Sequence, residues 1–200
     1  MKNTAWHNEQ ICQHILSTNF PKLKDSNHFT AINRCLKNTE DCKSVLDIGC
    51  CKAEFAETFP ELDYVGADLP NIIEGVSKKT RPELAYIYFN AETDNYEVIN
   101  NRFDIIVMNS FLSEISDPLS VLDKVLKSAK KYIIIHRQDI SDKKDIEQYQ
   151  TYGGLNATNS TICRQDLKRL IKENNCKIIL ETNSFDETID TKRTLLIEKK

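Results

Sequence analysis

The chain has 200 residues, of which 40% are hydrophobic and 28% charged, so it is expected to form a globular fold with a sizeable core. A formal net charge of −3 gives no electrostatic reason to expect nucleic acid as a partner, and the longest apolar runs are too short to cross a membrane. No signal peptide is recognisable, so the seven scattered cysteines indicate reduced thiols in a cytoplasmic protein.

The first forty residues predict a short, mostly polar helical segment, divided in two by Pro21. We expect Ser26 or Asn27 to cap its second helix. We therefore divide the chain into an N-terminal helical segment, 1–40, and a main domain, 41–200. The apolar residues that share a helical face are Ile11, Cys12, Ile15 and Leu16 in the first piece and Phe29, Ile32 and Leu36 in the second.

From residue 41 onward, apolar runs of strand length alternate with helical patterns. Such alternation predicts a doubly wound, mostly parallel sheet with helices on both faces. The predicted strands are Ser44–Ile48, Tyr64–Asp68, Ala85–Phe89, Phe103–Met108 and Tyr132–His136. The predicted helices are Ala53–Phe59, Pro70–Lys78, Asn95–Asn100 and Leu119–Ala129.

The last quarter of the chain has a different pattern. An amphipathic helix is predicted from Ile162 to Asn174 and is followed by strands at Lys177–Glu181 and Arg193–Glu198. Two strands without a helix between them predict an antiparallel hairpin, which completes a seven-stranded α/β sheet. The preceding stretch, Gln138–Ser160, is predicted to be a long polar loop that acts as a lid or substrate segment.

The most informative motif is the run Ser44 to Ala53, followed by a second apolar run that ends at Asp68. This is a strand, a turn of small residues, a helix and a strand that ends in a carboxylate, nineteen positions after Gly49. Such a unit binds a cofactor that carries adenosine, because the acid accepts hydrogen bonds from ribose hydroxyls. A nicotinamide cofactor is the alternative, but Glu54 stands where its fingerprint requires the third glycine.

Together with the stretch Phe103 to Pro118, this motif resembles the class I S-adenosylmethionine-dependent methyltransferases, over about Asp41 to Lys200. The resemblance implies S-adenosylmethionine as cofactor and a small-molecule acceptor. His136-Arg137-Gln138, the Tyr-Gly-Gly loop at 152–154 and the late helix are similar to small enzymes that modify sugars of surface polysaccharides. That similarity implies O-methylation of a sugar or nucleotide sugar in glycan biosynthesis.

The resemblance also implies a role for each matching residue. Asp47 orients the turn or meets the cofactor's amino group through water, and Gly49 lets the backbone approach the methionine part. Asp68 holds the ribose hydroxyls, and Leu69 packs against adenine. The remaining positions border the adenine (Asn90 and Ala91) or line the floor near the sulfonium (Asn109, Ser110 and Phe111).

One departure from the family pattern lies in the turn. The family usually has Gly-x-Gly-x-Gly, whereas this chain continues from Gly49 through Cys51 to Ala53. The side chain of Cys51 is expected to crowd the cofactor if the backbone approaches as closely as glycine permits. A degenerate, non-catalytic binding module is therefore the alternative to an enzyme.

Three residues are candidate general bases. His136 is predicted at the carboxyl end of a strand and titrates near neutrality, and Glu114 and Asp139 are its rivals. Arg137 and Tyr152 are candidates for binding the acceptor. The other histidines (His7, His14 and His28) are expected to be solvated, and no metal is expected.

Overall fold

The computed structural model of the protein describes residues 5–143, 147–152, 154–186 and 191–200. Its central sheet has the strand order β3-β2-β1-β4-β5-β10-β9, and β8 pairs with β5. The strands are β1 (Ser44–Ile48), β2 (Asp63–Asp68), β3 (Ala85–Tyr88), β4 (Ile105–Asn109), β5 (Tyr132–Ser141), β6 (Glu147–Tyr152), β7 (Leu155–Ser160), β8 (Ile162–Cys163), β9 (Cys176–Asn183) and β10 (Lys192–Lys199).

Strands β1 to β5 pair in parallel, and β10 lies antiparallel between β5 and β9. The predicted α/β class, the parallel sheet and the terminal hairpin are thereby confirmed. The helices are α1 (Glu9–Ser17), α2 (Phe29–Leu36), α3 (Glu54–Thr58), α4 (Pro70–Ile72), α5 (Lys78–Thr80), α6 (Pro118–Ser128) and α7 (Arg164–Glu173).

Two helical predictions need correction. The helix expected at Asn95–Asn100 is a single 3-10 turn, Tyr96–Val98. The N-cap of α2 is His28, whose side chain makes no capping hydrogen bond. Ser26 instead donates its hydroxyl hydrogen to the Leu23 carbonyl, 2.6 Å away, so it closes the preceding 3-10 turn.

The sheet has a hydrophobic cluster on each face, as its near-continuous apolar strands predict. Val45 and Ile105 point to the face covered by α2 and α3, whereas Leu46 and Ile106 point to the face covered by α6 and α7. All four side chains are fully buried. The two clusters fix the register of the parallel strands, and with it the position of every strand end.

The described parts of the stretch 138–160 form strands and not the predicted loop. Strand β5 extends to Ser141, and β6 and β7 form an antiparallel hairpin. Gly154, in the connecting turn, has a φ of 82°, whereas Gly153 lies outside the described residues. A Gly-Gly pair between two runs that contain tyrosine or threonine is a hairpin signal that the polarity of this stretch obscured.

The N-terminal segment packs over the first half of the sheet. Ile11 and Ile15 of α1 contact Ile72 and Val76 in a third hydrophobic cluster. A π-helical turn (Ile73–Ser77) joins α4 to α5, and Gly75 within it lies so close to α1 that a Cβ there would be 2.8 Å from the Cys12 sulfur. Across the described ranges, no helix is long and apolar enough to span a bilayer.

Candidate functional site

The carboxyl ends of the parallel strands open into a cavity of about 390 Å³, a volume within the usual range for small-molecule and cofactor sites. Most residues that the sequence predicted as functional lie in its wall. They are Asp47, Gly49, Cys51, Asp68, Leu69, Asn90, Ala91, Asn109, Ser110, Phe111, Glu114 and Arg137. Successive parallel strands bring these residues together because their carboxyl ends share one edge of the sheet.

The turn after β1 adopts glycine-like backbone conformations with a single glycine. Gly49, Cys51 and Ala53 have φ values of 76°, 47° and 54°. The left-handed region costs an ordinary residue about 1–2 kcal/mol, so the surroundings must hold the turn in place. Hydrogen bonds to β2 do so: the Gly49 amide donates to the Ala67 carbonyl (2.8 Å) and the Cys51 amide to the Asp68 carboxylate (3.0 Å).

Gly49 makes room for an aromatic ring of the same site. A Cβ at this position would lie 2.4 Å from Cδ2 of Phe111. Cys51 lines the cavity, and it also packs against the third hydrophobic cluster, which contains residues of α1. The packing of the Phe111 ring therefore requires a glycine at position 49, independently of any ligand.

Asp47 is a buried carboxylate with one oxygen that no described residue satisfies. Its Oδ2 accepts a hydrogen bond from the Tyr64 hydroxyl (2.9 Å), while Oδ1 has no partner among the described residues. Burial raises the pKa of Asp47 to about 7; the Tyr64 hydrogen bond opposes this shift and the charge of Asp68 adds to it. A bound group that donates a hydrogen bond or carries positive charge would satisfy this oxygen.

Asp68 ends β2 at the cavity wall. Its two oxygens accept hydrogen bonds from the amides of Cys51 (3.0 Å) and Leu69 (2.8 Å), which fixes the orientation of the carboxylate. Burial raises its pKa to about 6, and the two amides partly counteract that rise. Each carboxylate oxygen has two acceptor positions, so Asp68 retains capacity for hydroxyl donors.

The cavity wall carries an excess of acidic side chains. Lys52 and Arg137 are the cations among its described residues. Such a wall favours a ligand with positive charge. The acidic side chains are Asp47, Glu54, Asp68, Glu92 and Glu114.

The N-terminal segment forms a part of the wall that the sequence did not predict residue by residue. The Lys52 ammonium ties the segment to the turn, because it donates to the Thr18 carbonyl (2.9 Å) and lies 5.5 Å from the centre of the Phe20 ring. Aromatic residues near the start of the chain were the available signal. The segment contributes Trp6, His7, Phe20, Pro21, Leu23 and His28.

Two of the predicted bases lie outside the cavity wall. His136 is buried, with its ring nitrogens 2.7 Å from Thr194 Oγ1 and 3.0 Å from His28 Nδ1. Burial, with a contribution from the positive charge of Arg137, holds its pKa well below the ordinary value. Asp139 is engaged by Lys192. Neither residue is part of the described lining of this cavity.

The expectation that His28 is solvated was wrong. His28 is half-buried and lines the cavity, and burial lowers its pKa to about 4 with a further contribution from Arg137. Tyr152 lies in β6, but its side chain falls outside the described part of the structure. No group of side chains suited to hold a metal ion occurs among the described residues.

The fold and the site define an α/β protein with a cofactor cavity at the carboxyl edge of its sheet. A family model described as "Methyltransferase domain" matches residues 8–181. The chain therefore belongs to the methyltransferase domain family and is an enzyme of that class. A search of curated proteins found no match.

Several proteins of known structure have a similar fold, and their names associate them with different small molecules. CalS10, an amino pentose methyltransferase from Micromonospora echinaspora, is 9% identical with a TM-score of 0.65, over 88% of this chain and 92% of that one. The N-terminal domain of EvdMO1, solved in the presence of SAH and D-fucose, is 11% identical with a TM-score of 0.64, over 96% and 94%. Magnesium protoporphyrin IX methyltransferase from Synechocystis PCC 6803 is 11% identical with a TM-score of 0.61, over 95% and 93%.

Proposed function

We propose that this methyltransferase binds S-adenosylmethionine in the cavity and methylates a hydroxyl group of a sugar or nucleotide sugar. The observation that carries the proposal is an Asp47 oxygen that no described residue satisfies, in an acidic, cofactor-sized cavity. S-adenosylmethionine supplies a methyl group activated by the positive charge of its sulfonium. The same molecule has an ammonium group that an aspartate can bind.

The residues present fit this cofactor. Asp47 would bind the ammonium group, and Asp68, at the end of β2, would accept hydrogen bonds from the ribose hydroxyls. Leu69, Asn90 and Ala91, grouped in the same wall, would border the adenine. Burial raises the pKa of both carboxylates, which favours their neutral forms. A cationic ligand would stabilise the ionised carboxylates that bind it.

The choice of a sugar acceptor rests on two structures of similar fold and on polar side chains in the cavity wall. CalS10 acts on an amino pentose, and EvdMO1 was crystallised in the presence of D-fucose. Arg137 and Glu54 offer hydrogen bonds of the kind that sugar hydroxyls make.

The protein contributes most to the rate by aligning the two reactants, which lowers the activation barrier by up to about 7–11 kcal/mol in favourable cases. Glu114 is the one predicted base that lines the cavity, at the end of a 3-10 turn (Leu112–Glu114) after β4. We assign to it the removal of the acceptor's hydroxyl proton, which typically adds about 10²–10⁴-fold.

Calorimetric titration with S-adenosylmethionine and S-adenosylhomocysteine tests the cofactor. Micromolar binding to the wild type that is lost in Asp68→Ala would support the site. Asp63→Ala, an exposed acid at the start of the same strand, is the matched control and should bind normally. Absence of binding to folded wild-type protein would contradict the proposal and favour a non-catalytic module.

Turnover with a panel of sugars, nucleotide sugars and a porphyrin, measured as S-adenosylhomocysteine release, tests the acceptor. Glu114→Gln should lower kcat by about 10²–10⁴-fold without changing cofactor affinity. Glu61→Gln, on an exposed turn, serves as the control. An unchanged rate in Glu114→Gln would remove this residue as the base, and turnover of porphyrin alone would remove the sugar.

A further inference from the structure

A chain of four side chains leads from the interior of the sheet to the cavity. Ser184 Oγ lies 3.0 Å from Thr194 Oγ1, which lies 2.7 Å from His136 Nδ1. His136 Nε2 lies 3.0 Å from His28 Nδ1, and His28 lines the cavity. Ser184, Thr194 and His136 are buried, so each of their hydrogens must find an acceptor within the protein.

The direction of these hydrogen bonds follows from Ser184, the buried residue at which the series begins. Ser184 Oγ accepts from the Arg137 amide (3.2 Å), which leaves its own hydroxyl hydrogen to be placed. Within the described residues, Thr194 Oγ1 is the acceptor in reach of that hydrogen. Thr194 must then donate its own hydrogen to His136 Nδ1.

The two histidines continue the same direction. An imidazole that accepts at Nδ1 and is neutral carries its proton on Nε2, so His136 donates to His28 Nδ1. His28, neutral for the same reason, carries its proton on Nε2. Burial and the charge of Arg137 lower the pKa of both rings, which agrees with two neutral imidazoles.

His28 therefore carries a fixed hydrogen-bond donor, and a cation lines the same cavity. His136 engages Nδ1 of His28, which leaves Nε2 as the nitrogen that carries the donor hydrogen, and Arg137 shares the wall. The Arg137 guanidinium donates from Nε to Asn109 Oδ1 (3.0 Å), which helps to orient its positive charge. A neutral Nε2–H cannot accept a proton at Nε2, so this arrangement excludes His28 as a general base.

We propose that His28, as a donor through Nε2–H, and Arg137 together bind an anionic oxygen group of the acceptor, either a carboxylate or a phosphate. The inference rests on the proposed function, since it assigns one part of the acceptor's site. His136, Thr194 and Ser184 are positioning residues that fix the direction of the His28 donor. An acidic cavity that accepts a cationic cofactor thus has one local patch suited to an anion.

The direction of the network can be tested without any acceptor. Long-range ¹H–¹⁵N NMR of the histidine-labelled protein should show both His28 and His136 protonated at Nε2 and unprotonated at Nδ1. Thr194→Val removes the donor to His136 with little change in shape, and should allow the opposite tautomer of both rings. An unprotonated Nε2 on His28 in the wild type would overturn the inference.

The ligand class is tested with glucuronate, glucose 1-phosphate and glucose, each titrated into protein saturated with S-adenosylhomocysteine. We expect at least one anion to shift the His28 ¹⁵N signals and to bind about tenfold or more tightly than glucose, because hydrogen bonds to charged groups are strong. The carboxylate and the phosphate sources are distinguished by which anion binds. Binding by neither anion, or equal binding of glucose, would overturn the proposal.

Two substitutions of His28 separate its donor from its internal hydrogen bond. His28→Gln can place an amide donor near the position of Nε2 and should keep part of the affinity for the anion, whereas His28→Asn should lose it. The acceptor's KM should rise while kcat changes little. Equal anion affinity in His28→Asn and wild type would contradict the assignment. His14→Asn, outside the cavity wall, is the control for both.

Failure of the proposed function can be distinguished from failure of the inference on His28. If S-adenosylhomocysteine does not bind in calorimetry, the cofactor assignment fails, whereas the tautomers of His28 and His136 in the free protein still decide the direction of the network. If the cofactor binds and the tautomers are reversed, the inference on His28 fails alone.

Discussion

At the scale of single residues, Gly49 combines two constraints that a paired experiment can separate. Its φ is 76°, and a Cβ would meet the Phe111 ring at 2.4 Å, whereas Gly154 has a φ of 82° and no described atom within 4 Å of a Cβ. Gly154→Ala should cost about 1–2 kcal/mol of unfolding free energy, from backbone strain alone. Gly49→Ala should cost about 1–3 kcal/mol more, from the added clash.

Urea unfolding of both variants measures the difference. Gly49→Ala should also weaken S-adenosylhomocysteine binding, since Phe111 must move within the cavity wall. Equal unfolding free energies for the two variants would show that the Phe111 contact is relieved at no cost.

Asp47 links stability to pH in the direction opposite to most aspartates. Its folded pKa of about 7 lies above the unfolded value of about 3.9, so the protein binds a proton more tightly when folded. The stability that this carboxyl contributes is complete below pH ~4 and is lost as pH rises through ~7. Asp47→Asn should therefore gain stability relative to wild type as pH rises, by up to about 1.4 kcal/mol per pH unit, and level off above pH ~7.

Urea unfolding of wild type and Asp47→Asn between about pH 5 and 8 tests this expectation, since the comparison cancels other titrating groups. A constant difference between the two proteins would contradict it. Cofactor binding should follow the opposite trend, with affinity falling at low pH as Asp47 and Asp68 become protonated.

The position of a residue in the cavity wall could be predicted from the sequence where it follows from the sheet. Asp47, Asp68, Asn109 and Glu114 end or follow parallel strands, and such ends share one edge. Prediction failed for His28, because its partner His136 is 108 positions away and a tertiary hydrogen bond between side chains leaves no local pattern.

At the scale of elements, Asp104 joins the start of β1 to β4 and to the end of α6. One of its oxygens accepts from the Lys43 and Ser44 amides and from the Ser44 hydroxyl, and the other from the Lys130 ammonium (2.6 Å). The Lys130 hydrogen bond, with those of Ser44 and Lys43, holds the pKa of Asp104 well below its usual range. The carboxylate thus fixes the entry of two central strands.

Asp104→Asn should lower the unfolding free energy by about 1.5–3 kcal/mol at neutral pH, the range for hydrogen bonds to a charged group. Because the folded pKa is depressed, this contribution is present above pH ~4 and declines as pH falls further. Urea unfolding at neutral and acidic pH measures it. Asp63→Asn, an exposed acid, is the control, and an equal effect of both substitutions would argue against the role of Asp104.

Elements with strong periodicity were predictable, and those defined by pairing were not. β1 was predicted with its observed limits, because Val45 and Leu46 belong to an uninterrupted apolar run. The β6–β7 hairpin was missed, since polar residues dominate both strands and only the pairing of one with the other distinguishes them from a loop.

At the scale of the whole molecule, the N-terminal segment closes the cavity that the sheet opens. Lys52 makes a polar connection between the turn after β1 and this segment. Lys52→Met keeps the side-chain stem and removes the ammonium, so it should weaken S-adenosylhomocysteine binding several-fold with little effect on unfolding free energy.

Calorimetry gives the affinity, and hydrogen exchange shows whether the ligand protects α1 less in the variant than in the wild type. Lys24→Met is the matched control, because Lys24 is exposed and lies in the 3-10 turn Leu23–Asp25 of the same segment. Wild-type affinity in Lys52→Met would mean that apolar contacts alone hold the segment over the site.

The adjacent thiols of Cys50 and Cys51 make the turn after β1 a natural reporter of its own opening. Burial raises the pKa of Cys51 to about 12 and that of Cys50 well above its ordinary value, and alkylating reagents react with the thiolate. Both sulfurs are therefore protected while the turn is closed. The rate of their alkylation would measure how often this region opens, and a bound ligand would slow that rate. No engineered cysteine would be needed, because both thiols belong to the native sequence.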